Sequence, residues 1–220
     1  MKRAYAVLQK DIASELRTRY AVNSLFMFVL ISVSIILFAL RSENVSVDIL
    51  AGLYWVVMFF ASSIGLSRSF VSEEERGTAL TLQLIASPMS VYAGKFLYNA
   101  VLSLLLNLLV TILYFFFFPS FQIASLDIFL LVMLLGSLGF SAASTILAAI
   151  IAKANARGAL FPVLSFPVMV PLLMTIMNAT AKALEGASLE KAAPEFQVLI
   201  SYIIVLVGGS YLLFDYVWKD

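Results

Sequence analysis

Long apolar segments alternate with short polar ones along the whole chain. A helix that crosses a hydrocarbon core of about 30 Å needs about 20 mostly apolar residues, and six segments meet that length. None of them carries Asp, Glu, Lys or Arg in its central part. The pattern therefore predicts an all-α membrane protein with six transmembrane helices. The predicted spans are 21–40, 47–66, 96–118, 127–152, 159–178 and 196–216.

Composition supports this class and excludes others. The chain has 220 residues, of which 62% are hydrophobic and 12% charged, and its mean hydropathy is +1.02. A soluble domain has about 45–50% apolar and about 25% charged residues, so a water-soluble enzyme or nucleic-acid-binding module is excluded. The net charge of +1 implies no polyanionic partner.

The chain contains neither His nor Cys. This removes imidazole bases, thiol nucleophiles and the usual ligands of zinc or copper. The sequence also has no Walker A motif and no intramembrane acid–base cluster. We therefore expect no catalytic residue, no metal site, no cofactor bound by this chain and no hydrolysis of nucleotide by it.

Positive residues are concentrated on one side of the predicted spans. Eleven belong to the N-terminal segment, to the second and fourth loops with their flanks, and to the C-terminal tail, whereas three belong to the other loops. Since Lys and Arg are enriched in cytoplasmic loops, both termini are predicted to lie in the cytoplasm. The eleven are Lys2, Arg3, Lys10, Arg17, Arg19, Arg68, Arg76, Lys95, Lys153, Arg157 and Lys219, and the three are Arg41, Lys182 and Lys191.

We do not expect the first twenty residues to be a signal peptide, because the apolar stretch after them is too long and lacks a small-residue cleavage site. They carry an apolar stripe at i+4 spacing, opposite Lys10 and Arg17. The stripe predicts an amphipathic helix lying along the cytoplasmic leaflet, and a solvated basic tail is the alternative. It consists of Ala4, Leu8, Ile12 and Leu16.

The second loop, about residues 67–92, is the only long cytoplasmic connection. Ser72 is predicted to cap a helix, with Glu75 three residues later. Gly77 then permits a break before a second short amphipathic helix, which Pro88 ends. Such a charged element is suited to docking another protein, and a solvated connector is the alternative.

Small residues line one face of the fourth span, where they allow helix backbones to approach closely in lipid. We interpret them as a packing face, and a homodimer face is the narrower alternative. The residues are Gly136, Ser137, Ser141, Ser144, Thr145 and Ala148.

The fifth span contains Pro162, Pro167 and Pro171. Each removes a backbone donor, so this helix is predicted to be kinked or locally unwound, either as part of a transport path or as a tolerated structural feature. The external loop after it, about 179–195, is expected to form a short interfacial helix.

The layout and the second loop resemble the permease subunits of type-2 ABC transporters. In that family, acidic residues followed by Arg-Gly-Thr, leucines and Ser-Pro form a coupling helix that sits in a cleft of the ATPase subunit. The resemblance implies one ABC-2-type permease domain over residues 1–220, although the spacing from Gly77 to Pro88 is longer here. The interface residues it implies are Glu73, Glu74, Glu75, Arg76, Gly77, Thr78, Leu80, Leu82, Leu84, Ser87 and Pro88.

A second stretch, residues 153–173, narrows the resemblance from the type-2 ABC permeases to one family. It is similar to the fourth cytoplasmic loop and fifth span of the haem exporter protein B family, the membrane permease of cytochrome c maturation. The matching residues are Arg157-Gly158, Phe166-Pro167 and Val170-Pro171-Leu172-Leu173.

This resemblance implies a permease subunit in the bacterial cytoplasmic (inner) membrane, where it exports haem or releases a haem-loaded chaperone. The implied partners are a cytoplasmic ABC ATPase that binds ATP and Mg, a haem-handling membrane subunit, a small single-span subunit and membrane lipid. Haem is possible cargo, and its iron is expected to be ligated by a partner because the usual axial ligands are missing here. A type-2 permease for a lipid, polysaccharide or drug, and a non-transporting scaffold, are the alternatives.

Overall fold

A computed structural model describes residues 2–18, 20–40, 45–153 and 157–219. Arg19 and Arg41, which entered the charge count, lie outside the described residues, as do residues 154–156 of the second family stretch. Over the described ranges the chain forms α-helices and no strands. The helices are α1 (Lys2–Thr18), α2 (Tyr20–Ala39), α3 (Val47–Leu66), α4 (Arg68–Glu75), α5 (Ala79–Ile85), α6 (Pro88–Phe117), α7 (Leu126–Ala152), α8 (Arg157–Leu184) and α9 (Leu189–Lys219).

Six helices are long and apolar enough to cross a membrane: α2, α3 continued by α4, α6, α7, α8 and α9. The prediction of an all-α membrane protein with six spans is therefore confirmed. The predicted boundaries of the first, second and fourth spans agree with α2, α3 and α7 to within a residue. The other three helices are longer than predicted, and α6 begins eight residues earlier, with Pro88 in its first turn. Proline suits that position because its missing N–H has no partner within the helix there.

The helix α7 lies at the centre of the bundle and packs against α4, α6, α8 and α9, while α3 packs against α2, α6 and α8. Close approach is possible because a Cβ at Gly136 would lie 2.8 Å from the Trp55 ring and one at Gly139 would lie 2.6 Å from Leu172. The small residues of α7 thus let neighbouring helices come near its axis. Large apolar side chains on α2 and α9 point outwards, as expected for helices that face lipid.

Two local predictions are wrong, and a third is answered in part. Ser72 lies inside α4, which begins at Arg68, and it is therefore not an N-cap. The helix α8 runs unbroken through its three prolines, which excludes local unwinding, while the alternative of a kink stays a prediction. No short helix follows it over 179–195, because α8 extends to Leu184 and α9 begins at Leu189.

The reversal between α8 and α9 is made at Gly186, whose φ of 77° suits glycine. An ion pair of 2.6 Å between Lys182 and Glu195 then joins the two helices. The polar residues of the predicted loop therefore hold two long helix ends together.

The helix α1 packs on α6 through Ala4, Val7 and Asp11. Of the predicted apolar stripe, Ala4 belongs to this contact, Leu8 and Ile12 are half-buried, and Leu16 is exposed. The stripe is therefore only partly turned outwards, and the interfacial location of α1 stays a prediction.

Candidate coupling site

The segment from Glu73 to Pro88 forms the end of α4, a tight turn, α5 and the start of α6. We call α4, the turn and α5 together the coupling segment. Gly77 makes the turn with φ of 66°, a left-handed value that glycine adopts without strain. The turn is closed by backbone hydrogen bonds from Gly77 to the Glu74 carbonyl (3.1 Å) and from Thr78 to the Glu73 carbonyl (2.9 Å).

Glu73 is buried, and its carboxylate is used within the chain. Its Oε1 accepts hydrogen bonds from Lys95 on α6, at 2.9 Å, and from Lys10 on α1. Its Oε2 accepts a hydrogen bond of 2.6 Å from the Thr78 hydroxyl. Of the predicted interface residues, Glu73 therefore anchors the segment instead of lining its outer surface.

Lys95 is only 1% exposed, although it is a lysine near the start of a membrane helix. Its ammonium donates to the Ser69 carbonyl at 2.6 Å, to Glu73 Oε1 at 2.9 Å and to Asp11 Oδ1 at 3.2 Å. A buried ammonium is tolerated when its donors are satisfied by charged or carbonyl oxygens. Lys95 thereby joins α1, α4 and α6 at one point.

Lys10 closes this cluster from the solvent side, with an ion pair of 3.1 Å to Asp11. Burial by itself lowers the pKa of Lys10, but the hydrogen bond to Glu73 and the negative charges of Asp11 and Glu73 outweigh it, so that the pKa is raised. Lys10 therefore remains charged at neutral pH. We call Lys10, Asp11, Glu73 and Lys95 the charge cluster.

The side chains of α5 divide into an inner and an outer set. Leu82 is half-buried and packs against the apolar core beside α4. Gln83 donates a hydrogen bond of 2.6 Å to the Trp218 carbonyl near the end of α9. Leu80 and Leu84 point outwards and are 72% and 88% exposed, as is Ile85 at 69%. The chain thus leaves an apolar patch uncovered on the outer face of α5.

The helix α4 is also joined to α9 by aromatic contacts. The ring of Phe70 lies 5.7 Å from that of Phe214 and 5.6 Å from that of Trp218. Tyr92 at the start of α6 lies 5.2 Å from Phe214. Such ring pairs add to the stability gained by burial, so α4, α6 and α9 are held together at this end of the bundle.

The remaining predicted interface residues lie around the segment. Arg76 donates a hydrogen bond of 2.6 Å to Ser14 on α1, and Glu74 lies 4.0 Å from Lys153 at the end of α7. Glu75 and Gly77 are exposed. Ser87 is exposed and shares a hydrogen bond of 2.8 Å with Ser90, while Pro88 starts α6.

The small residues on α7 are all buried within the chain. Ser141 donates to the Phe96 carbonyl at 2.7 Å, Asn107 donates to Ser137 at 3.2 Å, and Asn99 donates to Thr145 at 2.9 Å. The structure therefore places Gly136, Ser137, Ser141, Ser144, Thr145 and Ala148 against other helices of the same chain.

The three prolines of α8 differ in their exposure. Pro162 is half-buried, whereas Pro167 and Pro171 are exposed on the outside of the bundle. The Thr175 hydroxyl donates to the Pro171 carbonyl at 2.8 Å, a local contact of the kind that accommodates proline in membrane helices. The two outer prolines therefore do not line an internal path through this chain.

The sequence analysis missed a line of polar side chains along α6. Lys95, Asn99, Ser103 and Asn107 follow one another at i+4 spacing, and all four are buried. Asn107 accepts a hydrogen bond from the Tyr54 hydroxyl on α3. The i+4 spacing is visible in the sequence, but the spacing alone does not show which helices cover this polar face.

Among the described residues there is no group of three or more His, Cys, Asp or Glu that could hold a metal ion. The arrangement is one of ion pairs, hydrogen bonds and packed rings that fasten a surface segment to the membrane helices.

A family model described as "CcmB protein" matches residues 2–210. The chain belongs to the CcmB protein family. The haem exporter protein B resemblance drawn from the coupling segment and residues 153–173 is thereby confirmed. A search of curated proteins finds no match.

Membership of the CcmB family assigns the chain to haem export in cytochrome c maturation, as an integral membrane permease subunit. The family belongs to an ABC transporter system, which implies an ATPase partner. In the described residues of this chain, the coupling segment combines an exposed apolar patch with hydrogen bonds to α6 and α9.

Proposed function

We propose that this CcmB-family chain transmits the motion of a cytoplasmic ABC ATPase to the membrane subunits that handle haem. The chain lies in the bacterial inner membrane with both termini in the cytoplasm, and the ATPase binds the outer face of the coupling segment. The motion serves haem export or release of a haem-loaded chaperone on the outer face.

The observation that carries this proposal is the division of α5 into two faces. Leu80, Leu84 and Ile85 are exposed on a segment that Leu82 and Gln83 fasten to the bundle. Exposed apolar side chains on a short helix are typical anchors for a groove in a partner protein. Glu75, Arg76 and Gly77 border this patch in the turn and supply polar contacts at its rim.

Two sets of contacts connect α5 to the membrane helices and could transmit its displacement to them. The first runs through Gln83 to the Trp218 carbonyl, and hence into α9. The second runs through the turn and Glu73 to Lys95, and hence into α6. Because coupling travels through contiguous packed and hydrogen-bonded contacts, these contacts would carry a displacement of the segment into α6 and α9.

We further propose that haem iron is ligated by the haem-handling membrane subunit and not by this chain, with a small single-span subunit completing the complex. His and Cys, the common axial ligands, are absent from the sequence. Haem then moves along an apolar surface without being ligated here. Stoichiometric, ligated haem on the purified chain without partners would contradict this assignment.

The coupling role is tested by replacing the exposed leucines of α5 and comparing these variants with a replacement of a leucine far from α5. Leu80→Asp with Leu84→Asp is expected to weaken co-purification with the ATPase and to abolish cytochrome c assembly, because two buried interface anchors typically cost about 2 kcal/mol or more each. Leu189→Asp, at the exposed start of α9 on the opposite end of the bundle, is the matched control.

Unchanged ATPase binding and unchanged cytochrome c assembly in the double variant would refute the coupling role. If the complex assembles normally and ATP turnover is independent of the coupling segment, the chain is a membrane scaffold. The same assays therefore separate transmission from recruitment.

A further inference from the structure

A cleft lies beside the charge cluster, between α1, the start of α2, the junction of α3 with α4, and α6. Its volume is about 580 Å³. Its lining combines charged residues of α1, α4 and α6 with the half-buried Leu102 and the buried Leu25 and Gly65 of the spans. A cleft that joins charged side chains to the apolar surface of membrane spans matches an amphiphile.

The charged part of the lining has a positive excess. Five of its lining side chains are Lys or Arg and three are Asp or Glu, which gives a net charge of +2. Lys10 and Lys95 are paired with Asp11 and Glu73 in the charge cluster. The remaining positive charge is therefore carried by the arginines.

Two of these arginines have no ionic or hydrogen-bonding partner in the described part of the chain. They are Arg17 in the last turn of α1 and Arg68 in the first turn of α4, and both are exposed. Arg17 lies three residues before the start of α2, and Arg68 lies two residues after the end of α3. This is the level at which a membrane span meets lipid headgroups.

We propose that this cleft binds an anionic phospholipid, whose phosphate is held by Arg17 and Arg68 and whose acyl chain runs past Leu102. Guanidinium groups form paired hydrogen bonds with phosphate oxygens, and basic pockets between membrane helices bind acidic headgroups. The exposed apolar residues Phe26 and Met27 on α2 continue the acyl-chain surface outside the cleft. The bound lipid would join α1 to α2 and α4 beside the coupling segment.

The test is lipid retention by the full chain, measured by native mass spectrometry after titration with dioleoyl phosphatidylglycerol. The chain is expected to hold one phosphatidylglycerol in preference to phosphatidylcholine. Arg17→Gln with Arg68→Gln is expected to weaken this binding on the order of tenfold, since each Arg near an anionic headgroup contributes favourably. Arg17→Lys with Arg68→Lys, which keeps the charge, retains most of the preference.

Arg3→Gln with Lys191→Gln removes two exposed positive charges outside the cleft and is expected to leave retention unchanged. Elution of every variant in size-exclusion chromatography verifies folding, because Arg17 and Arg68 make no internal contact whose loss would unfold the chain.

Equal retention of phosphatidylglycerol and phosphatidylcholine, or undiminished retention in the Gln variant, would overturn the proposal. Inorganic phosphate that displaces the lipid at equal concentration would show a simple anion site. Equimolar haem that displaces it would reassign the cleft to the cargo. Both of these outcomes also overturn the lipid assignment, and neither depends on ATPase coupling, because no partner is present in the assay.

Discussion

The ammonium of Lys95 lies 2.9 Å from the carboxylate of Glu73, and both side chains are buried where the coupling segment meets α6. This ion pair fixes the coupling segment to the membrane helix α6. Asp11 adds a second carboxylate to Lys95 at 3.0 Å, so α1 is fastened at the same point. The strength and position of these connections can be measured.

Removing Lys95 is expected to destabilise the chain strongly. Lys95→Met leaves two buried carboxylates with only Lys10 as a cationic partner, and breaking a buried pair costs about 3–5 kcal/mol. Thermal unfolding in detergent measures the loss. Lys191→Met, at an exposed position, is the control and should unfold like the unmodified chain.

The pair of Glu73 and Lys95 also predicts that the effects of two substitutions on the free energy of unfolding are not additive. Glu73→Gln combined with Lys95→Met is expected to be less destabilised than the sum of the two single variants, because each single change already removes the interaction between these two side chains. Strict additivity in the double-mutant cycle would mean that the two groups do not interact.

Gly94 is predicted to be needed for the contact of α1 with α6. A Cβ at this position would lie 2.6 Å from the Cβ of Val7 and 2.8 Å from the Ala4 carbonyl oxygen. Since a backbone atom cannot give way as a flexible side chain does, Gly94→Ala should destabilise the packing by about 1–3 kcal/mol.

Limited proteolysis within α1 reports this change, with faster cleavage expected in Gly94→Ala. Gly208→Ala is the matched control, because nothing lies within 4 Å of a Cβ there. Equal cleavage of α1 in the two variants would argue against a close crossing.

The exposure of α5 can be mapped with single cysteines, since the chain has none of its own. Leu84→Cys is expected to react with a membrane-impermeant maleimide faster than Leu82→Cys, because Leu84 is 88% exposed and Leu82 packs against the bundle. Labelling of inverted membrane vesicles should reach Leu84→Cys from the cytoplasmic side. Glu185→Cys, at the turn between α8 and α9, should instead be labelled in intact spheroplasts.

Asn107 is expected to connect α3, α6 and α7 in the middle of the bundle. Its side chain accepts from the Tyr54 hydroxyl and donates to Ser137 at 3.2 Å. Interhelical hydrogen bonds in membranes contribute about 0.6 kcal/mol on average and up to about 1.7. A double-mutant cycle of Asn107→Leu with Tyr54→Phe should give a coupling energy in this range, whereas Tyr211→Phe, at an exposed ring, should not couple to Asn107→Leu.

Part of the coupling segment was predictable from its residues alone. Gly77 indicated a break, and the structure places a left-handed turn there between α4 and α5. The sequence could not separate Leu82 from Leu84, because both belong to one apolar pattern and only contact with the core distinguishes them. Glu73 was grouped with its exposed neighbours for the same reason.

Hydropathy determined the six membrane helices and the all-α class, because the length and apolar character of a span are properties of a continuous segment. Composition likewise determined that the chain has no His or Cys to offer to iron. Tertiary structure alone decided that Lys95 meets Asp11 and Glu73, which are 84 and 22 residues away in sequence. The i+4 spacing on α6 shows which side chains share a face, but the neighbour that covers the face is set by how distant helices pack.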